Sequence, residues 1–174
     1  MADQNLGIET EIIRAFAQES RGLIEQLEPS LNELEKNRDL QTINYIYRFF
    51  HSIKGGASFM GLSNIARATN AVENMLDQLR SGKILLQIPK HVDLLSHACD
   101  FLKEALDRLE KQPNDNDLES QAETIVSEFR DVADKPIKIL KASRSLKKGQ
   151  QFRKTFIVGV GQGVFLRSFH IFKR

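Results

Sequence analysis

Five stretches within the first 133 residues carry apolar side chains at the spacing of an amphipathic α-helix, and this periodicity constrains the fold more than any other feature. The predicted helices cover residues 8–36, 40–60 and 63–81, a fourth stretch from the loop containing Pro89 to Gln112, and residues 117–133. Short connections favour antiparallel neighbours, so the pattern predicts an all-α fold in which helices two to five pair up and down. The inward face predicted for the first helix comprises Ile8, Ile12, Phe16, Leu23, Leu27, Leu31 and Leu34.

Residues that begin, bend or end helices support these boundaries. Asp39 and Ser63 are expected to cap the second and third helices, because a short polar side chain accepts a hydrogen bond from the first-turn backbone. Gly61 and Gly82 are expected to end those two helices. Pro29 lacks a backbone donor, so we expect a kink or a break in the first helix near residues 25–28.

Charge divides the chain into an acidic body and a basic tail. Eleven of the 25 Lys and Arg residues lie in residues 135–174, which contain no Asp or Glu, so the first 134 residues carry 14 basic and 23 acidic groups, a net charge of −9. We expect residues 1–134 to hold the functional domain. Residues 135–174 are expected to be a poorly ordered basic tail or linker, or a truncated or non-native end; their Phe, Ile and Val content also fits a strand-like segment or the edge of another domain.

Composition narrows the class of protein. The chain is 41% apolar and 28% charged, which is typical of a globular protein. No apolar run approaches the roughly 18 residues of a membrane span, and the start lacks the regions of a signal peptide, so we expect a cytoplasmic location. The single cysteine, Cys99, allows no internal disulfide, and its place on an apolar helical face predicts a buried thiol.

The second predicted helix carries one histidine on the face opposite its apolar stripe. At about 100° per residue, His51 lies roughly 130° from the centre of that stripe and shares its own strip with Gly55. Lys54 follows one turn later and flanks the strip. Gly55 and Gly56 together cost about 2 kcal/mol relative to alanine in a helix interior, which a helix seldom accepts without a need for close approach. The pattern favours an exposed imidazole that takes part in a chemical reaction.

The residues around His51 resemble those of a known family. The run from His51 to Ala57, His-Ser-Ile-Lys-Gly-Gly-Ala, and the run from Val72 to Asp77, Val-Glu-Asn-Met-Leu-Asp, are similar to the histidine phosphotransfer (HPt) domain. The resemblance is greatest to the N-terminal phosphotransfer domain of chemotaxis-type histidine kinases of the CheA class, and it extends over about residues 8–133. It implies an antiparallel four-helix bundle made by the first four helices, with the fifth helix packed outside. One departure is Asn70, where family members often carry a second histidine.

The resemblance also implies roles for particular residues. His51 is the expected phosphoacceptor, and Glu73, 22 residues later, is expected to accept the Nδ1 proton and so orient and activate the imidazole. Lys54 is expected to stabilise charge on the transferring phosphoryl group. Gly55 is expected to give a partner's aspartate steric access, whereas Gly56 is expected to pack closely against another helix.

The implied function is that of a phosphocarrier in a two-component signalling system. His51 would accept a phosphoryl group from an ATP-dependent histidine kinase domain and pass it to an aspartate of a response regulator receiver domain. The chain has no nucleotide-binding fingerprint, so we expect no cofactor in it, ATP and Mg being used by the donor domain of a larger histidine kinase. His91, His97 and His170 are not spaced as a ligand set with Cys99, so no metal site is expected.

Two other functions compete with the phosphocarrier hypothesis. One is a helical protein-interaction module without phosphotransfer, in which His51 is incidental. The other is binding of an anionic polymer or membrane surface through the basic tail, with its clusters Lys147-Lys148 and Arg153-Lys154. Nucleic acid is not among the expected partners.

Overall fold

The computed structural model describes residues 2–133, 153–158 and 165–170, with side chains described for residues 7–133. The helices are α1 (Ala2–Asn37), α2 (Leu40–Phe59), α3 (Ser63–Arg80), α4 (Lys90–Lys111) and α5 (Glu119–Ala133), with a 3-10 turn at Asn116–Leu118. The strands are β1 (Arg153–Val158) and β2 (Phe165–His170).

The first four helices form an antiparallel bundle, as the family resemblance implied. Each helix packs on its two neighbours in the order α1, α2, α3, α4, and α4 returns to α1. The fifth helix packs outside this ring, mainly on α3 and less on α4. A bundle of helices two to five, which periodicity left possible, does not form, because α1 lies beside α2 and α4 and α5 packs outside. The predicted fold class is confirmed.

The core follows the predicted stripes except near the beginning of α1. Ile8 and Ile12 are 55% and 47% exposed, whereas Ile13 and Ala17 are buried instead. The prediction for this part of α1 was wrong, because the buried residues lie one position further along the chain than the predicted ones. At the next predicted position Leu23 is only partly buried and its neighbour Ile24 is buried instead, whereas Leu27, Leu31 and Leu34 are buried as expected.

Two of the predicted helix signals turned out differently. The helix α1 runs through Pro29 without the break that was one expectation, since buried leucines on both sides hold its face against the core. Asp39 caps α2 as predicted, its Oδ1 accepting from the backbone N–H of Thr42 at 2.8 Å. Ser63 does not cap α3: it is the first residue of the helix, and Leu62 precedes it without a side-chain cap.

The cap of α3 comes from a residue 50 positions away. Asp115, in the loop between α4 and α5, is 2% exposed, and its Oδ2 accepts from the backbone N–H groups of Asn64 and Ile65 at 2.7 and 2.9 Å. The Asn64 side chain donates in return to the Asp115 carbonyl at 2.8 Å. The unpaired donors at the start of a helix, and its dipole, both favour a carboxylate there. This cap joins α3 to the loop that leads into α5.

Cys99 is buried in α4, as predicted, and burial raises the pKa of its thiol to about 12. A thiol in this state is a poor nucleophile at neutral pH. Gly61 and Gly82 follow α2 and α3 with φ values of 71° and 69°, which confirms that left-handed glycines end these helices.

The strands β1 and β2 pair antiparallel, with Arg153 opposite His170 and Val158 opposite Phe165. Strand structure was one of the alternatives for this part of the chain. The proposed boundary at residue 134, the cluster Lys147-Lys148 and the residues between the strands lie outside the described residues, so the linker role and poor order of the tail stay predictions. Among the described helices, none combines the length and apolar character needed to cross a bilayer.

We expect Asp115→Ala to lower the free energy of unfolding by about 2 kcal/mol, because it removes a helix cap and leaves buried backbone donors without an acceptor. Urea unfolding followed by circular dichroism measures this change. Asp117→Ala is the matched control: Asp117 is an exposed neighbour paired with Arg108, and its loss is expected to cost less than about 0.5 kcal/mol. Equal unfolding midpoints for the two variants would contradict the long-range cap.

Candidate functional site

His51 lies on the solvent side of α2 with its side chain 61% exposed. Its Nδ1 is 3.1 Å from Oε1 of Glu73. An ionised carboxylate only accepts hydrogen bonds, so this contact assigns the proton to Nδ1 in the neutral ring and leaves the lone pair on Nε2. No side chain among residues 7–133 bonds to Nε2. The imidazole is therefore held on one side and open on the other.

Glu73 reaches the site from α3 and is almost buried, at 8% exposure. Its Oε1 accepts from the hydroxyl of Tyr47 at 3.1 Å as well as from His51, and its Oε2 forms a 2.7 Å ion pair with Nζ of Lys54. Burial alone raises the pKa of this carboxyl, but the contacts with Lys54, His51 and Tyr47 outweigh burial and lower it. Glu73 is thus an ionised acceptor in the neutral pH range.

The structure brings His51 and Lys54 of α2 to the same carboxylate, that of Glu73 on α3. Lys54 lies one turn after His51 on α2, is 26% exposed, and directs its ammonium group to the Glu73 carboxylate. It therefore neutralises the charge of Glu73 in this arrangement. Its expected role toward a phosphoryl group stays a prediction.

The two consecutive glycines of α2 face different surroundings. A Cβ added at Gly55 would meet nothing within 4 Å, so this position leaves open space one turn beyond His51. A Cβ at Gly56 would lie 2.6 Å from Cε2 of the Phe16 ring on α1. The geometry agrees with an access role for Gly55 and with close helix packing for Gly56.

Tyr47 is the site residue that the sequence reasoning missed. It precedes His51 by one helical turn, a spacing that puts the two side chains on the same face, and this was the available signal. Asn70, where family members often carry a second histidine, lies away from this network. Asn70 is exposed in the groove between α3 and α5 and gives Glu73 no hydrogen bond, while Tyr47 supplies a donor from α2.

The other described histidine side chains belong to separate settings. His91 is buried, its Nδ1 accepts from the backbone N–H of Gln87 at 2.7 Å, and burial lowers its pKa. His97 is exposed beside Glu128, with Nδ1 2.8 Å from Oε2. His170 lies in β2, where side chains are not described. Among the described residues, no group of three or more His, Cys, Asp or Glu side chains is arranged to hold a metal ion.

Comparison with known proteins identifies a family and individual relatives to which this chain is similar. A model of the Hpt domain family matches residues 11–112. The sensor histidine kinase CheAY of Helicobacter pylori is 32% identical over 123 residues, 69% of this chain and 15% of that protein. The chemotaxis protein CheA of Bacillus subtilis is 35% identical over 96 residues, 55% of this chain and 13% of that protein. The chain therefore spans less than a sixth of the length of these relatives.

A solved structure shares the fold. It is the phosphorylated P1 domain of CheA3 in complex with CheY6 from R. sphaeroides, with a TM-score of 0.63 and 21% sequence identity. The match covers 70% of this chain and 94% of that domain.

We expect Glu73→Ala to remove the preference of neutral His51 for a proton on Nδ1, because no other acceptor among residues 7–133 lies against that nitrogen. The nitrogen chemical shifts of the neutral imidazole, measured by NMR, report the tautomer. Glu128→Ala is the matched control, since it removes the carboxylate beside His97 and leaves His51 alone. An unchanged His51 tautomer in Glu73→Ala would show that Glu73 does not orient the ring.

Proposed function

Since the chain belongs to the Hpt domain family, we propose that it is a phosphocarrier domain of a two-component signalling system. His51 accepts a phosphoryl group from an ATP-dependent histidine kinase domain and passes it to an aspartate of a response regulator receiver domain. The observation that carries this proposal is the hydrogen bond from Nδ1 of His51 to Glu73, combined with an open Nε2. ATP and Mg belong to the donor domain in this proposal.

The first transfer requires a neutral imidazole with a lone pair directed outward. Nε2 attacks the γ-phosphorus, the bond from that phosphorus to the oxygen of the leaving ADP breaks, and the proton on Nδ1 stays in place. The ring then carries a positive charge, which the ionised carboxylate of Glu73 stabilises at 3.1 Å. Lys54 balances Glu73 and lies close enough in sequence, one turn away, to act on the phosphoryl oxygens as they approach.

The second transfer requires the receiver aspartate to come into line with the phosphorus–nitrogen bond. The carboxylate oxygen attacks phosphorus, the bond to Nε2 breaks, and its electron pair returns to the ring. A receiver domain that brings its aspartate this near must come close to the helix surface beside His51. The open space at Gly55 supports such an approach.

The relatives support the identity of the partners. The solved neighbour is a phosphorylated P1 domain bound to CheY6, and the relatives are a sensor histidine kinase and a chemotaxis protein. We therefore propose that this chain works with a chemotaxis-type kinase domain, within a larger histidine kinase, in the cytoplasm. An interaction module without phosphotransfer does not require the carboxylate behind the ring, and the first 134 residues, which include the His51 site, carry a net charge of −9, which does not favour binding of an anionic polymer there.

We expect His51→Gln to abolish phosphorylation, because glutamine has no nucleophilic ring nitrogen. The measurement is incorporation of labelled phosphate from ATP in the presence of the kinase core of a chemotaxis-type kinase, with label that is lost in acid and kept in base. His97→Gln is the matched control, since His97 is also exposed and also has Nδ1 beside a carboxylate. Label retained by His51→Gln would contradict the assignment of His51 as the phosphoacceptor. An unchanged circular dichroism spectrum would exclude unfolding as the cause of a loss of label.

We expect Gly55→Leu to block transfer from phosphorylated His51 to a receiver domain while Gly55→Ala keeps it. A Cβ at this exposed position meets nothing within 4 Å, so the backbone has room for alanine, which is expected to raise stability by up to about 1 kcal/mol, and leucine is also a good helix former. Loss of label from the purified phosphorylated domain after addition of the receiver measures the transfer rate. Normal transfer by Gly55→Leu would contradict an approach over this surface.

A further inference from the structure

We propose that Tyr47 is a positioning residue for His51: its hydroxyl holds the Glu73 carboxylate and its ring lies along the imidazole. The inference rests on the proposed function of His51 and deepens it. It assigns to one side chain two contacts that fix the direction of the Nε2 lone pair.

The hydroxyl contact is shared with the imidazole. Tyr47 and His51 are one turn apart on α2, and both donate to the same oxygen, Oε1 of Glu73, each at 3.1 Å. Lys54 occupies the other oxygen. Three side chains of α2 thus converge on one carboxylate of α3, and each oxygen has its own partners.

This division of partners defines the orientation of the carboxylate. A carboxylate rotates easily about its last bond, and the exposed imidazole alone is a weak anchor because it can turn away into water. The Tyr47 hydroxyl comes from a half-buried side chain and keeps Oε1 directed at α2 when the ring of His51 moves. The carboxylate is therefore in place for Nδ1 whenever the imidazole returns.

The ring contact acts on the imidazole plane. The rings of Tyr47 and His51 are 14° from parallel, with centroids 5.8 Å apart. Such an offset arrangement is favourable for aromatic pairs, and it becomes more so when one ring carries positive charge, as the imidazole does once Nε2 is phosphorylated. The ring therefore favours the orientation in which Nδ1 faces Glu73.

Tyr47 is itself held from α3. The guanidinium carbon of Arg80 lies 4.0 Å from the centroid of the Tyr47 ring, a cation–π contact. Arg80 is in the last turn of α3, and its Nη1 lies 3.9 Å from Oδ1 of Asp77. Because Glu73 and Arg80 are both on α3, this helix holds Tyr47 at its hydroxyl and at its ring.

The test separates the hydroxyl from the ring. Tyr47→Phe removes the hydroxyl and keeps the ring, and Tyr47→Leu removes both. Tyr45→Phe is the matched control: Tyr45 and Tyr47 are the two tyrosines of the chain, and Tyr45 is on the same helix, 46% exposed and without contact to Glu73. Two quantities are measured in the full chain: the fraction of neutral His51 with its proton on Nδ1, by nitrogen NMR, and the rate of phosphorylation by a chemotaxis-type kinase core.

We expect Tyr47→Phe to lower the Nδ1-protonated fraction and to slow phosphorylation roughly tenfold, the low end for an outer partner of a functional histidine. Tyr47→Leu is expected to lower both further, and Tyr45→Phe to match the wild type. The inference is overturned if Tyr47→Phe leaves either quantity at the value of Tyr45→Phe. A wild-type chain that takes up no phosphate would count against the proposed function, and the tautomer measurement would then decide the positioning role alone.

Discussion

The site depends on one buried carboxylate. Glu73 is removed from water on α3, and such a group is costly unless donors replace its hydration. All of its donors in the described residues come from α2: Tyr47, His51 and Lys54. The contact that makes the imidazole chemically useful is therefore also a polar link between two helices of the bundle. Any movement of α2 along α3 would change the chemistry and leave a buried charge without partners.

The helix α2 meets opposite demands on its different faces. Its apolar stripe enters the core through Ile46, Phe50 and Ile53, while the strip of His51 stays open to solvent. Gly55 and Gly56 are adjacent in sequence yet serve two of these faces. One leaves space beside the histidine, and the other lets the ring of Phe16 approach the backbone. Two glycines lower the stability of a helix, and here each keeps a different surface of α2 free of a side chain.

The helix α3 is the fixed element against which the site is built. It packs on α2, α4 and α5, and its N-terminus is capped by Asp115 from a distant loop. A functional group must be held within a fraction of an ångström to be effective, and side chains on a well-packed helix meet this demand better than those on loops. The outer helix α5 therefore contributes to the site indirectly, because it packs on the helix that carries Glu73.

The sequence by itself determined the five helices, most of their buried faces, and the position of His51 and Gly55 on the open strip of α2 with Lys54 beside it. These features follow from helical phase, which is local and can be counted along the chain. The sequence by itself did not determine the cap of α3 by Asp115, the exposure of Ile8 and Ile12, or the contacts of Tyr47 at the site. Each of those depends on where a second segment lies, and only the packing of the helices decides which donor reaches which acceptor.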